Sequence, residues 1–116
     1  MDIMKIEDVE EKVKNSRITT TQLRLLLSNA AVIKNKIELE NLKTDGDKLS
    51  DELVREVEYL LVKHIYQCGR EKNVKYFDRE FNVSNIIKDI KNSRKKFNDF
   101  YRYLETIVAY SKFYRE

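Results

Sequence analysis

The chain has 116 residues, of which 37% are charged, with a net charge of +3, one cysteine, two glycines and no proline. Sheet folds need glycine and proline at most of their corners, so this composition argues against them and for helices joined by short polar loops. The length suits a single helical domain over 1–116, burying about two-thirds of its unfolded surface. One cysteine rules out an intrachain disulfide, and with no signal-peptide pattern the expected location is cytoplasmic. No apolar run approaches the roughly 20 residues that span a bilayer, so no membrane partner is expected.

The charge is segregated. Residues 44–58 carry six acidic and two basic groups, and residues 1–16 five and three. The remaining stretches, 17–43, 59–79 and 80–116, each carry an excess of three positive charges. Segregation of this kind makes either a positive face for a polyanion or an ordinary solvated surface.

In chain order, Glu7–Lys14 is acidic at its start, with Ile6, Val9 and Val13 spaced for one helical face. Its few apolar anchors make residues 1–16 the candidate mobile segment. Ile18-Thr19-Thr20-Thr21-Gln22 reads as a helix start, with a threonine cap and Ile18 as a hydrophobic staple. From Gln22 to Leu42 the core stripe is Leu23, Leu26, Leu27, Ala30, Ile33 and Ile37, widened by Leu25, Val32 and Leu39. Thr44-Asp45-Gly46-Asp47 is a turn. It is no calcium loop, because the glycine follows the first aspartate at once and no ligand set of about 12 residues follows.

Ser50 or Asp47 caps the next helix, which runs to about Glu71. One side carries Leu49, Leu53, Val57, Leu60, Leu61, His64 and Cys68, with Val54, Ile65 and Tyr66 extending it. Gly69, near its end, is either a stop or a point of close contact. Val74–Phe81 and Asn85–Ile90 read as short helical pieces broken at Asn82-Val83-Ser84, with Ser84 as the second cap. Ser93–Glu116 holds seven of the twelve aromatic residues. Phe97, Tyr101, Leu104, Val108 and Ser111 form one stripe, and Phe100, Tyr103, Ile107, Tyr110 and Tyr114 a second beside it. Such a helix must be covered from several sides, and Ser93 can cap it. The expected fold is an all-α compact bundle of about five helices, the fourth in two pieces, around this C-terminal post.

The residues offer little for catalysis. No glycine-rich phosphate loop or paired-cysteine motif is present, and His64 is the sole histidine. His64 and Cys68 share metal-ligand spacing on one helical face, but two ligands make no zinc site. A core or interface pair is the simpler reading. No cofactor or metal is expected and the chain does not read as an enzyme. The basic residues say more: Arg17 and Arg24 flank the start of the second helix, Lys34 and Lys36 follow, and Lys63, Arg70 and Lys72 lie on or after the third. Arg94-Lys95-Lys96 places cations at a helix N-terminus, against the dipole, and an anionic partner would relieve that conflict. The tyrosines, at helical spacing, read as core before they read as stacking platforms.

Three blocks carry a family resemblance. Ile18–Ile37, the Tyr66-Gln67-Cys68-Gly69-Arg70 segment and Phe97–Tyr114, with its Glu105-Thr106-Ile107-Val108-Ala109-Tyr110 centre, resemble the small subunit of type III-A CRISPR effector complexes. The resemblance spans about 18–114 and is most specific in the closing block. It implies a non-catalytic all-α subunit, stacked in several copies along a ribonucleoprotein, meeting the other subunits and touching guide RNA and, chiefly, the target RNA backbone. From the family motif it implies RNA contacts at Arg24, Lys34 and Arg70. Charge and position add Arg17, Lys63, Lys95 and Lys96. The alternative is a helical protein–protein adaptor with no nucleic-acid contact.

Overall fold

The computed structural model describes residues 3–16, 18–41 and 46–115. Arg17 and residues 42–45, which include the expected helix end at Leu42 and the first half of the expected Thr44–Asp47 turn, lie outside the described residues. Among those described, six helices follow one another: α1 (Ile6–Asn15), α2 (Thr20–Asn41), α3 (Asp51–Arg70), α4 (Lys72–Phe81), α5 (Val83–Ile90) and α6 (Arg94–Arg115). The expected all-α bundle is therefore present, with the fourth helix divided in two at Asn82. The molecule measures 42 × 28 × 24 Å.

Helix α6 packs against α1, α2 and α5, while α3 packs against α2, α4 and α5. The two aromatic stripes of α6 explain the arrangement. Phe97, Phe100, Tyr103, Leu104, Ile107, Val108 and Ser111 are buried, and Tyr101, Tyr110 and Tyr114 are half-buried against the core. The buried Tyr103 hydroxyl donates to the Phe81 carbonyl at 2.8 Å, giving the last turn of α4 a partner. At the far end, Tyr114 donates to Glu10, and the Arg115 guanidinium donates to the carbonyls of Val13 and Ser16. Val9 and Val13 are buried as well, so α1 is fixed to α6 by two apolar anchors and a cation on its C-terminal carbonyls.

Helix starts follow the sequence closely. Thr19 Oγ1 accepts from the Gln22 N–H while Gln22 Oε1 accepts from the Thr19 N–H, both at 3.1 Å, a reciprocal capping box opening α2. Ser50 caps α3 through the Leu53 N–H at 3.3 Å. Ser93 caps α6 through the Lys96 N–H at 3.1 Å. Ser84 is not a cap: α5 already begins at Val83, and Asn82 makes the turn in the left-handed region at φ 58°. Asparagine tolerates that conformation, and it ends α4 as glycine often does. Gly69 is neither stop nor close contact, since α3 continues to Arg70 and nothing lies within 4 Å of where its Cβ would be.

The cations at the start of α6 find their counter-charge inside the chain. Asp47 Oδ1 accepts from the Lys95 N–H at 2.7 Å and Oδ2 from the Ser93 hydroxyl at 2.8 Å. Lys95 pairs with Asp99 at 2.8 Å and Lys96 with Asp89 at 3.2 Å. Arg94 is buried and donates to the Gly46 carbonyl, with Glu40 3.5 Å away. The segment before α3 is thus bound across the N-terminus of α6, and Leu49 N–H reaches the Asn92 carbonyl at 2.8 Å.

Phe97 is fully buried near the start of α6, a helix against which α1, α2 and α5 all pack. Phe97→Ala is expected to lower the unfolding free energy by about 3–5 kcal/mol in urea titrations, the cost of a large cavity in a closed core.

Candidate functional site

Leu53, Val57, Leu60 and His64 put one stripe of α3 into the core. One residue earlier in each of the last two turns stand Tyr59 and Lys63, followed by Tyr66 and Arg70 on the same line. An offset of one residue is about 100° around the helix, which swings this second stripe out of the core and toward α2. Tyr59 and Tyr66 are 60% and 62% exposed. The expectation that Ile65 and Tyr66 extend the core stripe fails for this reason, since both are exposed. On α2, Leu25, Val32 and Leu39 are also exposed instead of widening the core, because α6 and α3 together cover too little of the helix to reach them.

Between the first half of α2 and the second half of α3 lies a groove of about 910 Å³. Leu26, Leu60, Val74 and Phe77 belong to its lining and to the core, while Leu25, Val62, Tyr59 and Tyr66 line it from exposed positions. Arg24, Lys63 and Arg70 line it as well, so three of the seven candidate cations are gathered here from two helices. Each α3 cation lies over a tyrosine one turn back: Lys63 Nζ is 5.1 Å from the Tyr59 ring centre and the Arg70 guanidinium carbon 5.7 Å from that of Tyr66. The pairing holds the charged groups beside the groove and costs them little hydration at that exposure. Glu71 supplies an acidic group to the lining and accepts from the Gln22 amide at 2.9 Å.

The other candidates stand elsewhere. Lys34 donates to Asn98 at 2.7 Å, lies 3.6 Å from Glu38 and approaches the Tyr101 ring, which directs it toward α6. Lys95 and Lys96 are in the ion pairs at the start of α6 described above. Arg17 lies outside the described residues. Tyr59, Val62 and Leu25 do not stand out as site residues from sequence alone. A signal for Tyr59 exists in the repeated Tyr-x-x-x-cation pattern, Tyr59/Lys63 and Tyr66/Arg70, spaced by seven residues.

Beneath the groove, His64 and Cys68 gain a third polar neighbour, which their spacing alone does not reveal. His64 Nε2 is 2.8 Å from Asp78 Oδ1 and 3.6 Å from Cys68 Sγ. These three ligand-type atoms lie within 4.8 Å of one another. Asp78 Oδ1 also accepts from the Ser84 N–H at 2.8 Å and the Ser84 hydroxyl at 2.7 Å. Burial opposes the charge on Asp78, yet the bonds from His64 and Ser84 outweigh it and hold the carboxyl below its ordinary value. Burial, with Asp78 nearby, pushes the Cys68 thiol up to about 11. A protonated thiol beside a carboxylate already taken by three donors is a polar tie joining α3 to α4 and α5, with His64 buried and Cys68 half-buried.

The fold and groove together define a class: a small helical protein whose distinctive surface is a tyrosine-edged, cation-rimmed groove between two helices. Similarity to known proteins makes that class specific. The family model for type III-A Csm2 matches residues 3–116. The chain is similar to the CRISPR system Cms protein Csm2 of Enterococcus italicus, 33% identical over 123 residues, covering 96% of this chain and 85% of the relative. The Mycobacterium tuberculosis protein of the same name is 34% identical over 108 residues, covering 93% and 84%. That of Streptococcus thermophilus is 36% identical over 100 residues, covering 86% and 75%. The chain belongs to the Csm2 family, the small subunit of type III-A CRISPR systems, as its closing aromatic block implied.

Asp47 and Asp78 both titrate lower in the fold than in the unfolded chain. Their contribution to stability is therefore complete above about pH 4 and is lost as pH falls through the depressed folded values. Thermal melts between neutral and acid pH should show this acid limb, flattened in an Asp47→Ala/Asp78→Ala variant. At neutral pH, Asp78→Ala alone should cost about 2 kcal/mol, because His64 and Ser84 lose their acceptor.

Proposed function

We propose that this chain is the non-catalytic RNA-backbone-binding small subunit of a type III-A CRISPR ribonucleoprotein, stacked in several copies along the guide–target duplex. The observation that carries the reading is the gathering of Arg24, Lys63 and Arg70 on one groove. Two of them, Arg24 and Arg70, are family-motif positions, and Lys63 joins them because it lies about two turns before Arg70 on the same line of α3. Backbone recognition needs cations at suitable spacing and no base code. Lys34, Lys95 and Lys96 pair with Glu38, Asp99 and Asp89 and serve as secondary contacts at the α6 side. The other subunits of the particle supply cleavage. Cations and tyrosine rings are prominent in the groove lining, and His64, which also lines it, is buried with its Nε2 on Asp78, which supports a binding role.

A second reading, a helical adaptor that meets protein alone, draws on the exposed apolar line Leu25, Val32 and Leu39 along α2. Within a particle the same line gives neighbouring subunits or further copies an apolar seat. The two readings differ in salt dependence. An Arg24→Ala/Lys63→Ala/Arg70→Ala variant should bind single-stranded RNA at least about ten-fold more weakly at low salt. The slope of log affinity against log salt should flatten by about 2 units, near 0.7 for each phosphate no longer neutralised. Anisotropy titrations at several salt concentrations, with helicity checked by circular dichroism, measure both. Unchanged affinity and slope in a folded variant would exclude this groove as the RNA site. Co-expression with a guide RNA and backbone subunits tests membership of the particle directly.

A further inference from the structure

Phosphate recognition accounts for the cations of the groove and leaves its rings and apolar wall unexplained. Tyr59, Val62 and Tyr66 expose 60%, 56% and 62% of their surface along two turns of α3, facing Leu25 of α2 at 46%. A backbone-binding surface gains nothing from such groups. Side by side with Arg24, Lys63 and Arg70, they match a ligand that has a flat apolar body and anionic flanks. A nucleotide has that form. The groove volume of about 910 Å³ lies within the range of preformed ligand sites, about 300–1,000 Å³.

We propose that the α2–α3 groove takes an unpaired nucleobase of the bound RNA, stacked on the Tyr59 or Tyr66 ring, with Arg24, Lys63 and Arg70 on the phosphates to either side. The inference rests on the RNA reading above and narrows it to single-stranded or extruded nucleotides. Lys63 and Arg70 lie over their rings at 5.1 and 5.7 Å, so ring and cation reach the groove as one unit, and a base on the ring brings its own phosphate to the cation. Bases inside a duplex have their faces covered by neighbours, so stacking on a protein ring requires a base that has left the stack. Any base has such a face, and the site therefore reads no sequence. Tyr76 provides a control: it is 58% exposed and lies under Arg79 at 5.9 Å, but on α4 and outside the groove lining.

The test compares the full chain on three probes: a mixed-sequence single-stranded RNA, an abasic strand of equal length, and a blunt duplex. Because both rings are exposed, Tyr59→Ala/Tyr66→Ala should fold normally, and Tyr59→Phe/Tyr66→Phe keeps the rings while removing the hydroxyls. The alanine pair should lose at least about ten-fold in affinity for the single strand, the size of one base–ring stacking interaction. Its affinity for the abasic strand and the duplex should fall far less, because the three cations that meet the backbone remain. The phenylalanine pair and Tyr76→Ala should bind all three probes as the parent does. Loss confined to the triple cation variant, with the alanine pair unaffected, overturns base docking and leaves the backbone reading standing. If neither variant changes RNA binding while the alanine pair fails to join a guide-loaded particle, the groove is a protein seat and both readings fall.

Discussion

The structure depends on the burial of one helix. Helix α6 is apolar over two adjacent stripes, and a helix of that kind is stable only when neighbours cover it from several directions. α1, α2 and α5 do so. With those three places taken, α3 packs mainly on other helices. It is held one layer out, on α2, α4 and α5. The outward stripe of α3 and the adjoining side of α2 then lack a third helix between them, and that gap is the groove. Core packing and the candidate site are two results of the same geometric demand.

Electrostatics serve the same arrangement. The acid-rich stretch before and at the start of α3 reads in sequence as a segregated surface charge, but part of it is used inside the fold. Asp47 closes the N-terminus of α6, and outside that stretch, at the end of α2, Glu40 accepts from the Ser50 N–H at 3.1 Å while standing near buried Arg94. Asp78 is likewise turned inward, onto His64 and Ser84. The basic side chains on the groove stripe of α3 instead lie over tyrosines. A polyanion approaching the groove meets charges held in place by neighbouring rings.

Family and fold agree with this picture at different levels. The closing block Phe97–Tyr114, the most family-specific part of the sequence, is mostly core, so its resemblance reflects the need to rebuild the post. The Tyr66–Arg70 segment is the reverse case. It barely contributes to the core, apart from half-buried Cys68, and its tyrosine and arginine both face the groove. A motif can therefore mark packing at one end of a chain and a surface at the other, and only burial separates the two.

The sequence by itself determined the helices, their caps and the main core stripes, because these depend on local hydrogen bonding and on periodicity within about four residues. Thr19, Ser50 and Ser93 cap as their positions imply, and Phe97, Phe100, Leu104 and Ile107 are buried as their spacing requires. It also supplied the family. What only the tertiary structure decided was which flanking positions stay outside. Leu25, Val32, Ile65 and Tyr66 sit at the borders of apolar stripes, where periodicity is ambiguous and the placement of the next helix settles exposure. The convergence of Arg24 with Lys63 and Arg70 across about 40 residues, and of Asp78 with His64, likewise depends on how helices cross. Such contacts join side chains far apart in sequence, and no local rule contains them.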